Sequence, residues 1–306
     1  MAASVSPVTS LQRMVEMVRS RRAPVRVVIA ACAEANAVLA GLEAASQGLA
    51  EPVFVGDVDR MRGLPELTGK DFSAYECLHE PDDRKALAVS LDLLRDGRAR
   101  FLMKGSVKTD VLLRAVLGRR QGGTGLLSHI GVFPHPREER LLIVTDAGVN
   151  IAPSLTRKID IINNAVAVAA KLGMNPPRVA VLSATEKVSY NDMTSSKDAD
   201  ILAKLCRMGI FGDAVVGGPF ALDIAVSVDK ARAKGVDHPV AGRADILCAP
   251  NIVTGNVLYK AVTSLMDLPM AGIVVGASYP LVVPSRGDSD QSKFYALALA
   301  AYLSGA

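Results

Sequence analysis

Residues 270–294 read MAGIVVGASYPLVVPSRGDSDQSKF, and this order of apolar run, polar turn and helical pattern sets the architecture of the chain. Gly272–Val275 and Leu281–Val283 are short apolar runs of the buried-strand kind. Pro284 closes the second run, Ser285, Arg286 and Gly287 make a polar turn, and a helical pattern starts near Asp290. A strand that passes through a polar turn into a helix aims free backbone N–H groups and the positive end of the helix macrodipole at an incoming anion. Arg286 adds a planar donor fork suited to phosphate. A capped helix after a strand, with Arg286 simply solvated, is the competing reading, and the stretch alone leaves both open.

Strand and helix patterns alternate through the rest of the chain. Near the N-terminus Thr9 is placed to cap a helix with Leu11, Met14, Val15 and Val18 on one face. Strands are expected at Val25–Ala30, Pro52–Val55, Tyr75–Leu78 and Arg100–Met103, with helices at 34–47, Asp57–Arg62, Pro81–Arg95 and Thr109–Leu117. The segment 118–136 breaks this rhythm with GRRQGGTG, a strand-like LLSHIGVF and the polar PHPREER. A second series then runs through strands at Leu141–Thr145, Arg178–Leu182, Asp213–Val216 and Asp245–Cys248. Its helices are expected at Ser154–Leu172, Lys197–Met208, Phe220–Lys234 and Val253–Met266. In the Ser154 helix the buried face is read as Ile159, Ile162, Val166 and Ala169. Alternation at this pitch implies parallel strands joined by right-handed crossovers, an α/β fold.

Composition excludes several classes. Half of the 306 residues are hydrophobic, an ordinary core-forming proportion. With 35 basic and 31 acidic residues the net charge is +4, too small and too mixed to argue for a nucleic-acid partner. No signal-peptide pattern opens the sequence, and no apolar run approaches the ~18 residues of a membrane span. Cys32, Cys77, Cys206 and Cys248 lie far apart, without CxxC spacing, and read as core thiols of a cytoplasmic protein.

Familiar catalytic motifs are missing. The first strand–helix turn, ACAEANA (31–37), has no GxGxxG, so a dinucleotide pyrophosphate lacks its glycine turn. There is no Walker A loop and no GxSxG nucleophile elbow. His79, His129, His135 and His238 are scattered and match no metal-ligand spacing, and His129 reads as a core histidine. Three turns remain where strands end: Lys104–Gly105 with Ser106–Thr109, the 146–150 turn with Asp146 and Asn150, and Ser285–Arg286. Open α/β sheets gather ligands at the carboxyl ends of their strands, so these turns are candidates for an anion and a carbonyl.

The segments LMKGSVKTDVLLRAVL (102–117), LLSHIGVF (126–133), DAGVNIAP (146–153), VAVLSATEKV (179–188), GGPFALDIAVS (217–227), ADILCAPNIVTGNVLYKAV (244–262) and GASYPLVVPSRGDSDQSK (276–293) resemble the phosphate acetyltransferase/phosphate butyryltransferase family. They occur in the family's order from about residue 101 onward. The likeness is closest to the butyryltransferase branch and to the transferase domain of enoyl-CoA hydratase/phosphate acetyltransferase fusions. It implies a two-domain, three-layer α/β/α fold with mostly parallel sheets, similar to isocitrate and isopropylmalate dehydrogenases, with the active site in the interdomain cleft. Residues 1–135 plus 274–306 are expected as one domain and 136–273 as the other.

The resemblance also implies chemistry: transfer of a short acyl group between coenzyme A and inorganic phosphate, with coenzyme A as substrate, no tightly bound cofactor and no metal. The expected assembly is a homodimer without nucleic-acid or membrane partners. Ser285 and Arg286 match the family's Ser-Arg pair, Arg286 for phosphate and Ser285 for the thioester carbonyl. Arg114 matches an arginine associated with the anionic substrate, and Lys104 stands in a KG turn with a phosphate role. Asp146, Asn150 and Ser292 complete the substrate-binding set. Acetyltransferases of the family carry an aspartate where this chain has Ser292, which leaves Asp288, Asp290 or phosphate itself as base; Asp290 is the catalytic candidate and also a possible helix N-cap. Two other readings stand beside this one: an NAD-dependent decarboxylating hydroxy-acid dehydrogenase of the same architecture, and a non-catalytic CoA- or phosphate-binding homologue.

Overall fold

Helix α1 (Leu11–Arg19) buries Leu11, Met14, Val15 and Val18, the four residues whose spacing defines one helical face. The computed structural model describes residues 7–119, 125–285 and 287–305. After α1, strand and helix alternate through β1 (Val25–Ala30), α2 (Ala35–Ser46), β2 (Ala50–Gly56), α3 (Val58–Arg62), β3 (Glu76–His79), α4 (Asp83–Arg95), β4 (Phe101–Lys104) and α5 (Thr109–Gly118). Acidic side chains start three of these helices: Glu34, Asp57 and Asp82 each accept backbone N–H bonds of the first turn. Asp82 therefore caps α4, and Pro81 lies before the helix rather than inside it.

From residue 128 the chain continues through β5 (Ser128–Pro134), β6 (Leu141–Thr145), α6 (Leu155–Lys171), β7 (Arg178–Leu182), α7 (Thr194–Cys206), β8 (Val215–Phe220), α8 (Leu222–Val226), α9 (Val228–Ala233), β9 (Ile246–Cys248) and α10 (Ile252–Ser264). It ends with β10 (Ala271–Val275), β11 (Leu281–Val282) and α11 (Asp290–Ser304). The chain divides into two compact units: Leu11–Leu127 with Pro269–Ala306, and Met1–Ser10 with Ser128–Leu268.

In the first unit the strands run β3-β2-β1-β4-β11-β10, parallel from β3 to β11, with β10 antiparallel to β11. Helix α11 packs on β10, β11 and β4 on one side and on α1 and α2 on another. Eleven of its fifteen residues are buried, so it carries no polar stripe and behaves as a core element.

In the second unit the order is β5-β6-β9-β7-β8, parallel except for the antiparallel β5–β6 pair. Five ladder pairs, Ile130↔Thr145 to Pro134↔Leu141, tie β5 to β6. That pairing holds β5 against β6 within this unit.

Three expectations in the second unit need correction. The buried face of α6 includes Lys158, Ile161, Ala165 and Val168, while Ile159 and Val166 are only half-buried. The rotation follows from Lys158, which is 4% exposed and bonds Asp198 of α7 at 2.7 Å; a buried cation keeps its place only beside such a partner. Strand β8 runs on to Phe220, which pairs with Leu182 beyond a bulge. The long helix expected over 220–234 is instead two short ones, because Ser227 is extended and its hydroxyl caps α9 at the Lys230 N–H.

Two histidines of the second unit make its stability depend on pH. Burial holds the imidazoles of His238 and His135 below their ordinary range, with Arg207 and Arg140 respectively adding to the effect. His238 lies tilted against Phe220, with ring centroids 5.6 Å apart, and fills the space over Gly217, where a Cβ would come within 2.4 Å of the ring. A depressed histidine costs no stability above its unfolded pKa near 6.5; below it the unfolded chain binds the proton first. The thermal midpoint is therefore expected to fall as pH drops from 7.5 to 5.5, and His238→Gln to flatten part of that fall. An unchanged slope in the variant would remove His238 as a cause.

Candidate active site

In the first unit the carboxyl ends of three strands lie side by side, Ala30 paired with Lys104 and Met103 with Val282. The chain leaves β4 through a tight turn fastened to the end of β1. Gly105 N–H donates to Ala30 O and Ser106 N–H to Ala31 O, both at 2.8 Å. Only glycine fits at 105, since a Cβ would stand 2.1 Å from Ala31 O. The Ser106 hydroxyl reaches Ala31 O at 3.1 Å and the Asp83 carboxylate at 3.2 Å, joining this turn to the start of α4. Lys104 is half-buried, and its Nζ donates to Gly105 O at 3.0 Å and Val107 O at 3.2 Å. Cys32, two residues beyond β1, is buried, its thiol pushed up to about 12 by burial and so chemically quiet.

Beside this turn, β11 leads into the segment 283–289. Ser285 is exposed; its N–H donates to Asp288 Oδ2 at 2.7 Å, and its carbonyl accepts from Asp288 N–H at 3.1 Å. The Ser285 hydroxyl also accepts from Gly287 N–H at 3.4 Å. Arg286 lies outside the described residues, as do residues 120–124 of the glycine-rich segment. Ser289, not Asp290, caps α11, accepting from Ser292 N–H. Asp290 is the first helical residue, with a side chain 90% exposed and paired to Lys293 at 3.0 Å. The helix start therefore faces the same strand ends as Lys104, while its far end returns to the start of β4, where Ser304 Oγ donates to Arg100 O.

Two other residues from the sequence reading have local partners within this unit. Ser292 is 4% exposed, and its hydroxyl accepts from Met270 N–H at 3.2 Å and bonds Ser289 Oγ at 3.1 Å. Arg114 stands on the exposed side of α5 and pairs with Asp110 one turn earlier. That pair is a solvated surface contact of the kind worth little.

In the second unit, β6 ends at the Asp146 turn. Asp146, 3% exposed, accepts N–H bonds from Gly148 at 2.8 Å, Val149 at 2.9 Å and Asn150 at 3.1 Å, and its Oδ2 also takes the Asn150 amide at 2.6 Å. One buried carboxylate so organises the whole turn. Helix α10 closes on it through Gly255, where a Cβ would meet Asp146 O at 2.1 Å, and through Asn256, whose amide donates to Ala147 O. His129 sits edge-on to Tyr259 with ring centroids 5.4 Å apart and against Gly148. Among the described residues no three His, Cys, Asp or Glu side chains gather as a metal cluster. No helix among the described residues is long and apolar enough to cross a membrane.

Sequence reasoning missed the roles of Asp83, Ser106 and Ser289. Asp83 lies 23 residues from Ser106, and nothing local marks their pairing. Ser289 was legible, since serine three residues before a buried helical position is an ordinary N-cap.

The chain is an α/β protein with mostly parallel strands, and sheets of this kind gather ligands at the carboxyl ends of their strands. The profile described as phosphate acetyl/butaryl transferase matches residues 66–301, and the chain belongs to this family of acyltransferases. It is 39% identical over 300 residues to the phosphate butyryltransferase of Clostridium acetobutylicum, covering 97% of this chain and 99% of that one. It is 36% identical over 295 residues to the phosphate acetyltransferase of Rhizobium meliloti, covering 94% and 92% respectively. Among solved structures, a branched-chain phosphotransacylase from Enterococcus faecalis superposes with a TM-score of 0.80 at 29% identity, covering 92% of this chain and 99% of that one. A putative 4-hydroxythreonine-4-phosphate dehydrogenase from Salmonella typhimurium, at TM-score 0.59 and 14% identity, shares the fold alone while covering 92% of this chain.

Proposed function

We propose that the protein transfers a short acyl group reversibly between coenzyme A and inorganic phosphate, acetyl or butyryl being the candidate groups. The observation that carries this reading is the pairing of β4 with β11, which sets the Lys104 turn and the Ser285 turn side by side at the start of α11. A phosphate oxygen attacks the thioester carbonyl carbon, the carbonyl oxygen becomes an oxyanion, and the C–S bond then breaks to release coenzyme A thiolate and acyl phosphate. Two anions must meet at one carbonyl, and cations with helix-end amides offset their repulsion. Arg286 holds phosphate through its donor fork, and Lys104 adds positive charge at the neighbouring strand end. The Ser285 hydroxyl donates to the developing oxyanion. Arg114 is assigned to the anionic substrate. Asp146 and Asn150 act by holding the backbone of their own turn, and Ser292 by anchoring the start of α11.

A thiolate of ordinary pKa leaves without strong acid assistance, so the forward direction needs little proton management. In reverse the thiol must lose its proton, and Asp290 is proposed to take it. Its exposure and its freedom from backbone capping support this choice over Asp288, which is engaged with the Ser285 N–H. Asp290→Asn is expected to lower kcat/KM about tenfold or more in both directions, since one transition state serves both, and to remove the carboxylate-dependent limb from the pH profile of acyl phosphate-to-CoA transfer. A parental rate and an unchanged pH profile in the variant would remove Asp290 as the base.

The four cysteines are free, which supports a cytoplasmic setting. Val253, Val257 and Leu265 are exposed along and just beyond α10, which supports a homodimer; sedimentation velocity reads that state directly. The function itself is tested by thiol release from acetyl-CoA and butyryl-CoA with and without phosphate. Phosphate-dependent release is expected, and release indifferent to phosphate would refute the proposal.

A further inference from the structure

Helices α4 and α5 carry the Lys104 turn at their N-terminal ends and a cavity at their C-terminal ends. The cavity, about 860 Å³, lies in the first unit and is bounded by those helix ends and by the 276–279 segment that follows β10. Leu102 N–H donates to Pro280 O, so this segment sits at the amino end of β4, the far end from Lys104. The walls are of two kinds. Leu94, Val116 and Leu117 offer an apolar surface, the last of them 37% exposed. Arg95, Arg119 and Tyr279 offer donors.

Those donors are only partly used. Arg119 makes both of its bonds through Nη1, to Ala88 O at 3.1 Å and Asp92 Oδ1 at 2.6 Å, which leaves Nε and Nη2 to spare among the described residues. Arg95 uses Nη1 for Asp92 and Nε for Asp96, which leaves Nη2. Tyr279 is half-buried, and its hydroxyl makes no bond among the described residues. Asp92 and Asp96 balance the arginines, so a highly charged ion gains little here. A molecule with an apolar body and a single anionic head fits both kinds of wall, since the body covers the leucines while the head meets the spare guanidinium and phenol donors.

We propose that this cavity is an effector site for an amphipathic organic anion, separate from the acyl-transfer turns and linked to them by α4 and α5. Helix α4 has 13 residues, about 20 Å of rigid rod. Its first residue, Asp83, holds Ser106 of the Lys104 turn, and its last, Arg95, lines the cavity. Helix α5 begins four residues after that turn and ends in the cavity wall. A ligand that draws the two C-terminal ends together biases the position of the turn through two packed elements, a coupling with a contiguous physical carrier.

The aromatic sulfonate 8-anilinonaphthalene-1-sulfonate is a suitable probe, followed by its fluorescence on the intact protein. Saturable binding is expected, undiminished by saturating coenzyme A, and weakened about tenfold in both Leu117→Glu and Arg119→Gln. The acyl-transfer rate is expected to change at saturating probe in the parent and not in either variant. This rate arm alone rests on the transferase reading; the fluorescence arm stands without it. Absence of binding, displacement by coenzyme A, or equal binding in both variants would overturn the site. Binding that leaves the rate unchanged would overturn its effector role.

Discussion

Gly105→Ala is expected to lower stability on the order of 3 kcal/mol and to remove most acyl-transfer activity with it. The added Cβ would stand 2.1 Å from Ala31 O and 2.8 Å from Ala30 O. Both are backbone atoms at the end of β1, and each already accepts a bond from this same turn. No side-chain rotation relieves the contact, so the turn itself must move. Lys104 and the Ser106–Asp83 link move with it, which is why stability and activity fall together. Gly118→Ala is the control: nothing lies within 4 Å of its Cβ position, and its effect is expected within about 0.5 kcal/mol. Urea denaturation midpoints and kcat/KM for butyryl-CoA read both variants. A Gly105→Ala protein of parental stability would show that the close approach is dispensable.

Arg286→Lys is expected to reduce kcat/KM about a hundredfold or more, with the KM for phosphate raised. Lysine keeps the positive charge, so simple attraction of phosphate survives. The planar two-point grip does not, and orientation of the attacking oxygen depends on it. Folding is expected to be unaffected, which an unchanged denaturation midpoint would verify. Activity within about threefold of the parent would remove Arg286 from the phosphate site.

Much of the fold is legible in local pattern. The apolar runs at 25–30, 141–145 and 178–182 coincide with β1, β6 and β7 to the residue. The Leu11, Met14, Val15, Val18 face is the buried face of α1. These elements are short-range objects: strand burial on both faces and helical periodicity are written in neighbouring residues. The α6 face was misread because Lys158, a charged residue, is an interior one. Only Asp198, 40 residues away, makes that placement stable. The expected helix over 220–234 failed for a related reason, since Ser227 serves as a cap between two short helices and not as a helical residue.

The candidate site divides in the same way. The turns after LLIVT and LVVP, with their Asp, Asn and Ser residues, were marked by sequence alone, because small polar residues and glycine after an apolar run signal an exposed strand end. Whether a given side chain serves the turn or faces outward was not. Asp146 turned inward to hold four donors, Ser292 was taken up by the Met270 N–H, and Arg114 was left in a surface pair with Asp110. What the chain's own order determined was the alternation of elements, with small polar turns where strands end. The folded arrangement alone decided which strands became neighbours, because ladder partners such as Met103 and Val282 are 179 positions apart, and local periodicity does not specify contacts at that separation.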